Sequence, residues 1–427
     1  MPDWVSVLLW LFVFTTPWDA VPLPFVGSLS RAVGLAVLVP MVLVTMMRGR
    51  IRKPDWILLL SIAFGWWSAM SLLWTNSFDA TVRMVFSYGQ LIVLVAIMRE
   101  LVRTPAQQET LFVAFFLGCF VPMASLLYNF HSNVRLSMTD RFTATQINAD
   151  DLALTLVLGL PMAWQVVRRR RGVSRAIALV YFVLAPTSTL LTGTRGAFMA
   201  GIVALSIVPL TMNARVSMWS MTRAAVFLAV VGAAMAAAVP GTSWKRIASI
   251  SSEVSDGALT GRRALWSAGL EVLPSHPYIG FGAGAYGRAT QSVLNTDRTS
   301  GHNWFLTMAV ELGGIGVLLS VSLLLANALA IVRLPSPERR LWAVVMLTWL
   351  VGVMSVNWEI RKTTWLLFGF IAAHGSLELS RRRTAASIMN GGGVRPPQQV
   401  AARQPSRAWS RNRSLPAAWA PKSITER

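Results

Sequence analysis

Twelve apolar stretches of near-spanning length leave this chain few folds to choose from. They lie near 4–18, 28–47, 55–74, 82–101, 109–129, 149–167, 176–193, 196–213, 222–240, 314–332, 341–357 and 361–378. A helix satisfies its backbone hydrogen bonds internally, so apolar runs of this length, bounded by charges or turn residues, read as bilayer-crossing helices. Charged residues make up 13% of the chain, about half the ~25% of a soluble domain. The expected fold is therefore an all-α polytopic membrane protein of about twelve transmembrane helices with one long external loop. The first run is short and ends at Pro17; lacking a basic leader and a small-residue cleavage site, it is expected to be a span rather than a signal peptide. The runs at 176–193 and 196–213 meet at Thr192–Gly193–Thr194–Arg195–Gly196, a turn expected at one membrane face.

The net charge of +21 is one that nucleic-acid binders also carry, but its distribution points elsewhere. One alternate set of loops holds sixteen Lys and Arg, among them Arg48, Lys53, Arg168–Arg171 and Arg340. The tail from Arg381 adds ten, the short loops of the other set hold seven, and the 241–301 loop holds six. By the positive-inside rule the first set and both termini are cytoplasmic, and 241–301 is outside. The one-sided excess accounts for the charge without a nucleic-acid partner. Residues 1–380 form the expected membrane domain. The tail, 381–427, rich in Pro, Ala, Gln, Ser and Arg, is expected to be disordered and basic enough to touch anionic membrane lipid. The lone cysteine, Cys119, sits in an apolar run and excludes an intrachain disulfide framework.

Long loops between short ones are usually functional or disordered, and 241–301 is not of low complexity. Gly261–Leu270 reads as an amphipathic helix anchored by Trp266, and a glycine-rich turn, Gly280–Gly287, follows Pro277. Gly282–Gly287 fits GxGxxG literally, but no strand precedes it, so it reads as a tight turn where backbone approaches a ligand or helix, not as a dinucleotide site. His302 lies where the loop returns to the bilayer; neutral imidazole, with an ordinary pKa near 6.5, can accept a proton there. His131, His276 and His374 lie in less organised settings. Guanidinium grips phosphate through a planar fork, so Arg195 and Arg262 are candidates for holding a diphosphate, with Arg263 on another helix face. Asn303 is a candidate cap or histidine-orienting group, Glu311 a carboxylate that could orient an arginine, and Arg141 a further contact for donor sugar or phosphate. The loop holds no DxD-like acidic pair, as Glu253 and Asp256 are separated by two residues; no metal and no cofactor is expected.

These residues resemble the O-antigen ligase and polymerase-like membrane glycosyltransferases. The family's ligase motif is His followed by Asn, Ser or Gln, nine residues, then GxxG. Here it reads His302–Asn303, Trp304 to Leu312, then Gly313–Gly314–Ile315–Gly316. Gly280–Phe281–Gly282–Ala283–Gly284, the helix from Gly261, the turn Leu190–Ala197 (with Thr194 where Ser is commoner) and Ile147–Ala153 are similar to other family segments, covering about 140–330. The resemblance implies a GT-C-like fold in a bacterial inner membrane, with the active site at the periplasmic face. The donor would be a glycan on undecaprenyl diphosphate, and the transfer inverting and metal-independent. His302 would be the general base, and Arg195 and Arg262 would bind the diphosphate. The acceptor would be lipid A–core oligosaccharide for a ligase, the expectation here, or another lipid-linked glycan for an O-antigen or exopolysaccharide polymerase. A lipid-linked glycan transporter or flippase would share the spans. It would be expected to show broken helices or ionisable groups near the midplane, whereas the span centres here are almost uncharged.

Overall fold

In a computed structural model, the described residues are 3–18, 22–23, 27–47, 52–135, 141–211, parts of 222–240, 241–248, 262–295 and 300–389. The chain divides into Met1–Leu379 and Ser380–Arg427, and all that follows concerns the first unit except the last turns of its final helix. The helices are α1 (Asp3–Thr15), α2 (Leu29–Met47), α3 (Trp56–Met70), α4 (Phe78–Leu101), α5 (Pro105–His131), α6 (Ala149–Arg169), α7 (Val173–Leu191), α8 (Arg195–Leu205) and α9 (Ile207–Thr211). After them come α10 (Gly241–Ala248), α11 (Arg262–Val272), α12 (Tyr286–Leu294), α13 (Trp304–Val332), α14 (Ser336–Val353) and α15 (Lys362–Met389). A two-residue antiparallel pair, Pro22–Leu23 with Gly27–Ser28, lies between α1 and α2. Each predicted span coincides with a helix except 222–240, nearly half of which lies outside the described residues; Glu253, Asp256 and the tail from 390 lie outside them as well.

Among the described residues, six helices, α3 to α7 and α13, are long and apolar enough to cross a membrane. The expected span at 314–332 is different in form. Its helix starts ten residues earlier, at Trp304, and is broken at Gly313 (φ 66, ψ −166). The run at 196–213 divides into α8 and α9, and α15 continues to Met389, past the boundary expected at 381.

Local signals set the helix ends. Asp55, Thr104, Asn148 and Asn303 each accept a backbone N–H with the side chain at the first turn of α3, α5, α6 and α13. At one end of the helices the loops carry ion pairs: Arg99 binds Asp55 and Glu100, and Arg169 bridges Glu109 and Glu338. The other end gathers the described residues 71–77, 132–135, 141–148, 192–194, 241–248, 262–295, 300–303 and 354–361. The core between them is aliphatic and aromatic. α6 is its most enclosed member, with 89% of its spanning window buried. It packs chiefly on α7, α5 and α8, and Tyr181 of α7 donates to the Leu156 carbonyl of α6.

Candidate active site

The approach to His302 is fixed from both sides. Asn303 caps α13 by accepting the Leu306 N–H at 3.0 Å, and its amide reaches the Met354 carbonyl at 3.4 Å. On the other side, Trp266 of α11 donates its indole N–H to the Gly301 carbonyl at 2.8 Å, and the Tyr286 hydroxyl donates to the Leu265 carbonyl at 2.7 Å. Between them His302 takes a left-handed conformation, φ 48, uncommon outside glycine, and stays half-buried. Its backbone is thus held between the start of α13 and the segment carrying α11 and α12.

The glycine turn and the break in α13 are one construction. Phe281 and Gly282 donate N–H to the carbonyls of Val310 and Glu311 at 3.0 and 2.8 Å. Across the break, Gly314 and Ile315 donate to the carbonyls of Pro277 and Tyr278 at 2.8 and 3.2 Å. The Leu312 carbonyl accepts from the Trp67 indole at 3.0 Å. The backbone groups that a broken helix exposes therefore find partners in residues 277–282 and α3. Such a fit needs glycine on both sides. A Cβ on Gly280 (φ 68) would lie 2.4 Å from Glu311 backbone atoms, and one on Gly313 would lie 2.3 Å from the Tyr278 carbonyl. The GxxG motif begins at this joint.

Glu311 does not orient an arginine. Only 2% exposed, it accepts the Gly284 and Tyr286 N–H groups at 2.7 and 3.3 Å and so caps the first turn of α12. Backbone donors at a helix N-terminus are a fitting partner for a carboxylate withdrawn from water. The span expected at 314–332 is therefore preceded by a break and, two residues before the break, a buried carboxylate.

The arginines gather on two aspartates. Asp150 and Asp151 occupy the first turn of α6, where acidic groups complement the helix dipole. Asp150 Oδ1 accepts from Arg141 at 2.7 Å and from the Thr194 hydroxyl at 3.1 Å, while Oδ2 lies 3.4 Å from Arg262. Asp151 accepts from the Trp358 indole at 2.8 Å and pairs with Arg361. His302 lies in the neighbourhood of Asp151. Arg195, next to Thr194, starts α8 and donates Nε to the Arg246 carbonyl at 2.7 Å. Arg263 is exposed, so of the two adjacent arginines Arg262 is the one turned to Asp150. Arg141, Arg262 and His302 are thus brought around the aspartate pair, with Arg195 adjoining it through Thr194, and Glu311 serves the glycine turn instead.

Asp150, Asp151, Trp358 and Arg361 were not among the expected site residues. The sequence signal was present: two adjacent acids opening an apolar helix are expensive near lipid unless partnered. Outside the spans, burial pushes the Glu359 carboxyl up to about 7 from an ordinary 4.5, with Arg361 and Asn357 opposing. Among the described residues no group of three His, Cys, Asp or Glu comes together that could hold a metal ion.

Residues 179–321 match the family model described as O-antigen ligase. The chain is O-antigen ligase-like. The matched segment of this ligase-like chain contains Arg195, Arg262, His302, Glu311 and the Gly313 break, whereas Arg141, the two aspartates, Trp358 and Arg361 come from outside it. No curated protein matches the chain. Its apolar helices make it a multi-pass membrane protein, and its matched segment is similar to the O-antigen ligase family.

Proposed function

We propose that the chain is an inverting glycosyltransferase of the bacterial inner membrane, moving a glycan from undecaprenyl diphosphate to a sugar hydroxyl at the periplasmic face. The acceptor is lipid A–core, as for an O-antigen ligase. The observation that carries the reading is the convergence of Arg141 and Arg262 on Asp150, beside Thr194–Arg195, at the helix end that also presents His302. In the reaction the acceptor oxygen forms a bond to the anomeric carbon as the bond from that carbon to the diphosphate oxygen breaks. The hydroxyl proton passes to His302, a step typically worth about 10²–10⁴-fold. Negative charge collects on the departing diphosphate. Fixed guanidinium groups stabilise it there, and act most strongly where water is scarce. A polymerase would use the same donor half-site and differ in its acceptor.

A broken helix is also a feature of transporters. Here the carbonyls of Val310, Glu311 and Leu312 and the N–H groups of Gly314 and Ile315 are taken up by Phe281, Gly282, Trp67, Pro277 and Tyr278 rather than turned to a passing ion or headgroup. That favours a built joint over a gate.

The test supplies purified protein with an undecaprenyl-diphosphate-linked glycan and either lipid A–core or a second lipid-linked repeat, in the presence of chelator. Glycosylated core, lost in His302→Ala with insertion intact, is the expected result. Lengthened lipid-linked chains would reassign the protein as a polymerase. Glycan translocation across proteoliposomes without product would overturn the enzyme reading.

A further inference from the structure

Asp150 holds together two cations that would otherwise repel. Arg141 lies in the segment before α6 and Arg262 opens α11, more than a hundred residues later, yet each reaches a different oxygen of this one carboxylate. The Thr194 hydroxyl adds a third, neutral contact. Asp150 is 7% exposed, and its side chain takes up donors of the type that bind a diphosphate: two guanidinium groups and a hydroxyl. A fork turned fully to a diphosphate oxygen cannot at the same time be turned fully to Asp150.

We propose that Asp150 is a positioning residue that stands in for the donor's diphosphate, keeping Arg141 and Arg262 aligned while the site is empty and reclaiming them when the product diphosphate leaves. This rests on the transferase reading above. The exchange is of anion for anion, so the two cationic segments never face one another uncompensated, and no covalent step is involved. It has a cost: a fixed negative charge opposes the incoming one, which weakens binding and speeds release. In enzymes where release limits turnover, such a device raises the rate.

Neutralising the carboxylate separates this role from simple structural support. Asp150→Asn keeps the volume and an acceptor oxygen but removes the competing charge. The expected signature is tighter and slower: Kd for inorganic pyrophosphate and KM for the lipid-linked donor both fall about ten-fold, and kcat falls with them, ten-fold being ~1.4 kcal/mol. Asp150→Glu, which keeps the charge, stays near wild type in pyrophosphate affinity. Damage to a merely structural carboxylate would raise KM instead.

The experiment measures pyrophosphate binding and steady-state transfer with the full chain in lipid nanodiscs, for wild type, D150N, D150S and D150E. Two neutral variants are used so that one failing to insert leaves the other, and Arg262→Gln must weaken pyrophosphate binding in the wild-type background. Tighter pyrophosphate binding in a neutral variant, with D150E unchanged, supports the proposal. Equal or weaker binding in the neutral variants, or no effect of R262Q, overturns it, even if wild type transfers glycan normally. Pyrophosphate binding that follows the expected order in a protein that transfers no glycan would sink the transferase reading and leave the anion exchange standing.

Discussion

Replacing Gly313 by alanine tests whether the joint between α13 and the glycine turn is as tight as its geometry implies. The residue sits at φ 66 and ψ −166, a region that side-chain-bearing residues avoid at about 1–3 kcal/mol. Its new Cβ would also stand 2.3 Å from the carbonyl carbon and oxygen of Tyr278 and 2.5 Å from the Ile279 nitrogen. All three are backbone atoms, so no side chain can swing aside. The 277–282 segment must retreat, straining the bonds from Gly314 to Pro277 and from Ile315 to Tyr278, each worth about 0.5–1.5 kcal/mol. Together these give about 3 kcal/mol, roughly a hundred-fold in the local opening equilibrium. Amide hydrogen exchange of Phe281, Gly282, Gly314 and Ile315 in nanodiscs reads that equilibrium directly. Gly314→Ala is the internal control, because its Cβ would find nothing nearer than the Pro277 oxygen at 3.4 Å, an ordinary contact. Exchange should accelerate about a hundred-fold in G313A and stay near wild type in G314A. Equal exchange in the two variants would refute the reasoning.

Three further outcomes follow from contacts described above. Glu311→Gln keeps one acceptor for the Gly284 and Tyr286 N–H groups but turns an amide donor toward the other; about 1.5–3 kcal/mol should be lost, seen as protease cleavage near 280–287, and unchanged resistance would contradict the capping role. Arg262→Lys, which loses the planar fork, should cut transfer at least about ten-fold, while Arg263→Lys at its exposed position should stay within about two-fold in the same assay. Because burial raises the Glu359 carboxyl to about 7, the folded state keeps a proton that the unfolded chain releases near 4.5. Stability should therefore decline as pH rises between those values and level off above. Glu359→Gln should flatten that decline in unfolding temperature, and an unchanged slope would show that another group sets it.

The helices were legible because hydropathy and length act locally; helical phase put Arg262 and Arg263 on different faces, but only the contact with Asp150 shows which one turns to the site. His302 and Asn303 could be singled out because a loop re-entering the bilayer is a local event too. The functions of Glu311 and Gly313 were not legible, since both depend on backbone brought alongside from 277–286, and no periodicity in the apolar run around them reports that pairing. The Gly282–Gly287 pattern was read correctly as a backbone approach, but its partner, the interior of α13, lies about thirty residues on. Asp150 and Asp151 stood in plain view as two acids opening an apolar helix. What hid them is that their partners come from four separate segments, at Arg141, Thr194, Arg262 and the Trp358–Arg361 turn.

The enclosure of α6 has a consequence for how the protein is made. Of the six membrane-length helices it has the lowest mean hydropathy and the most buried window, 89% against 28% for α13. It opens on two carboxylates and closes on Arg168 and Arg169. A segment so composed partitions weakly into lipid by itself. Its entry from the translocation machinery must therefore be paired, with α5 already in place or with α7 following as a hairpin partner. The helix that anchors the arginines is thus, of the six, the one least suited by its composition to enter the membrane alone.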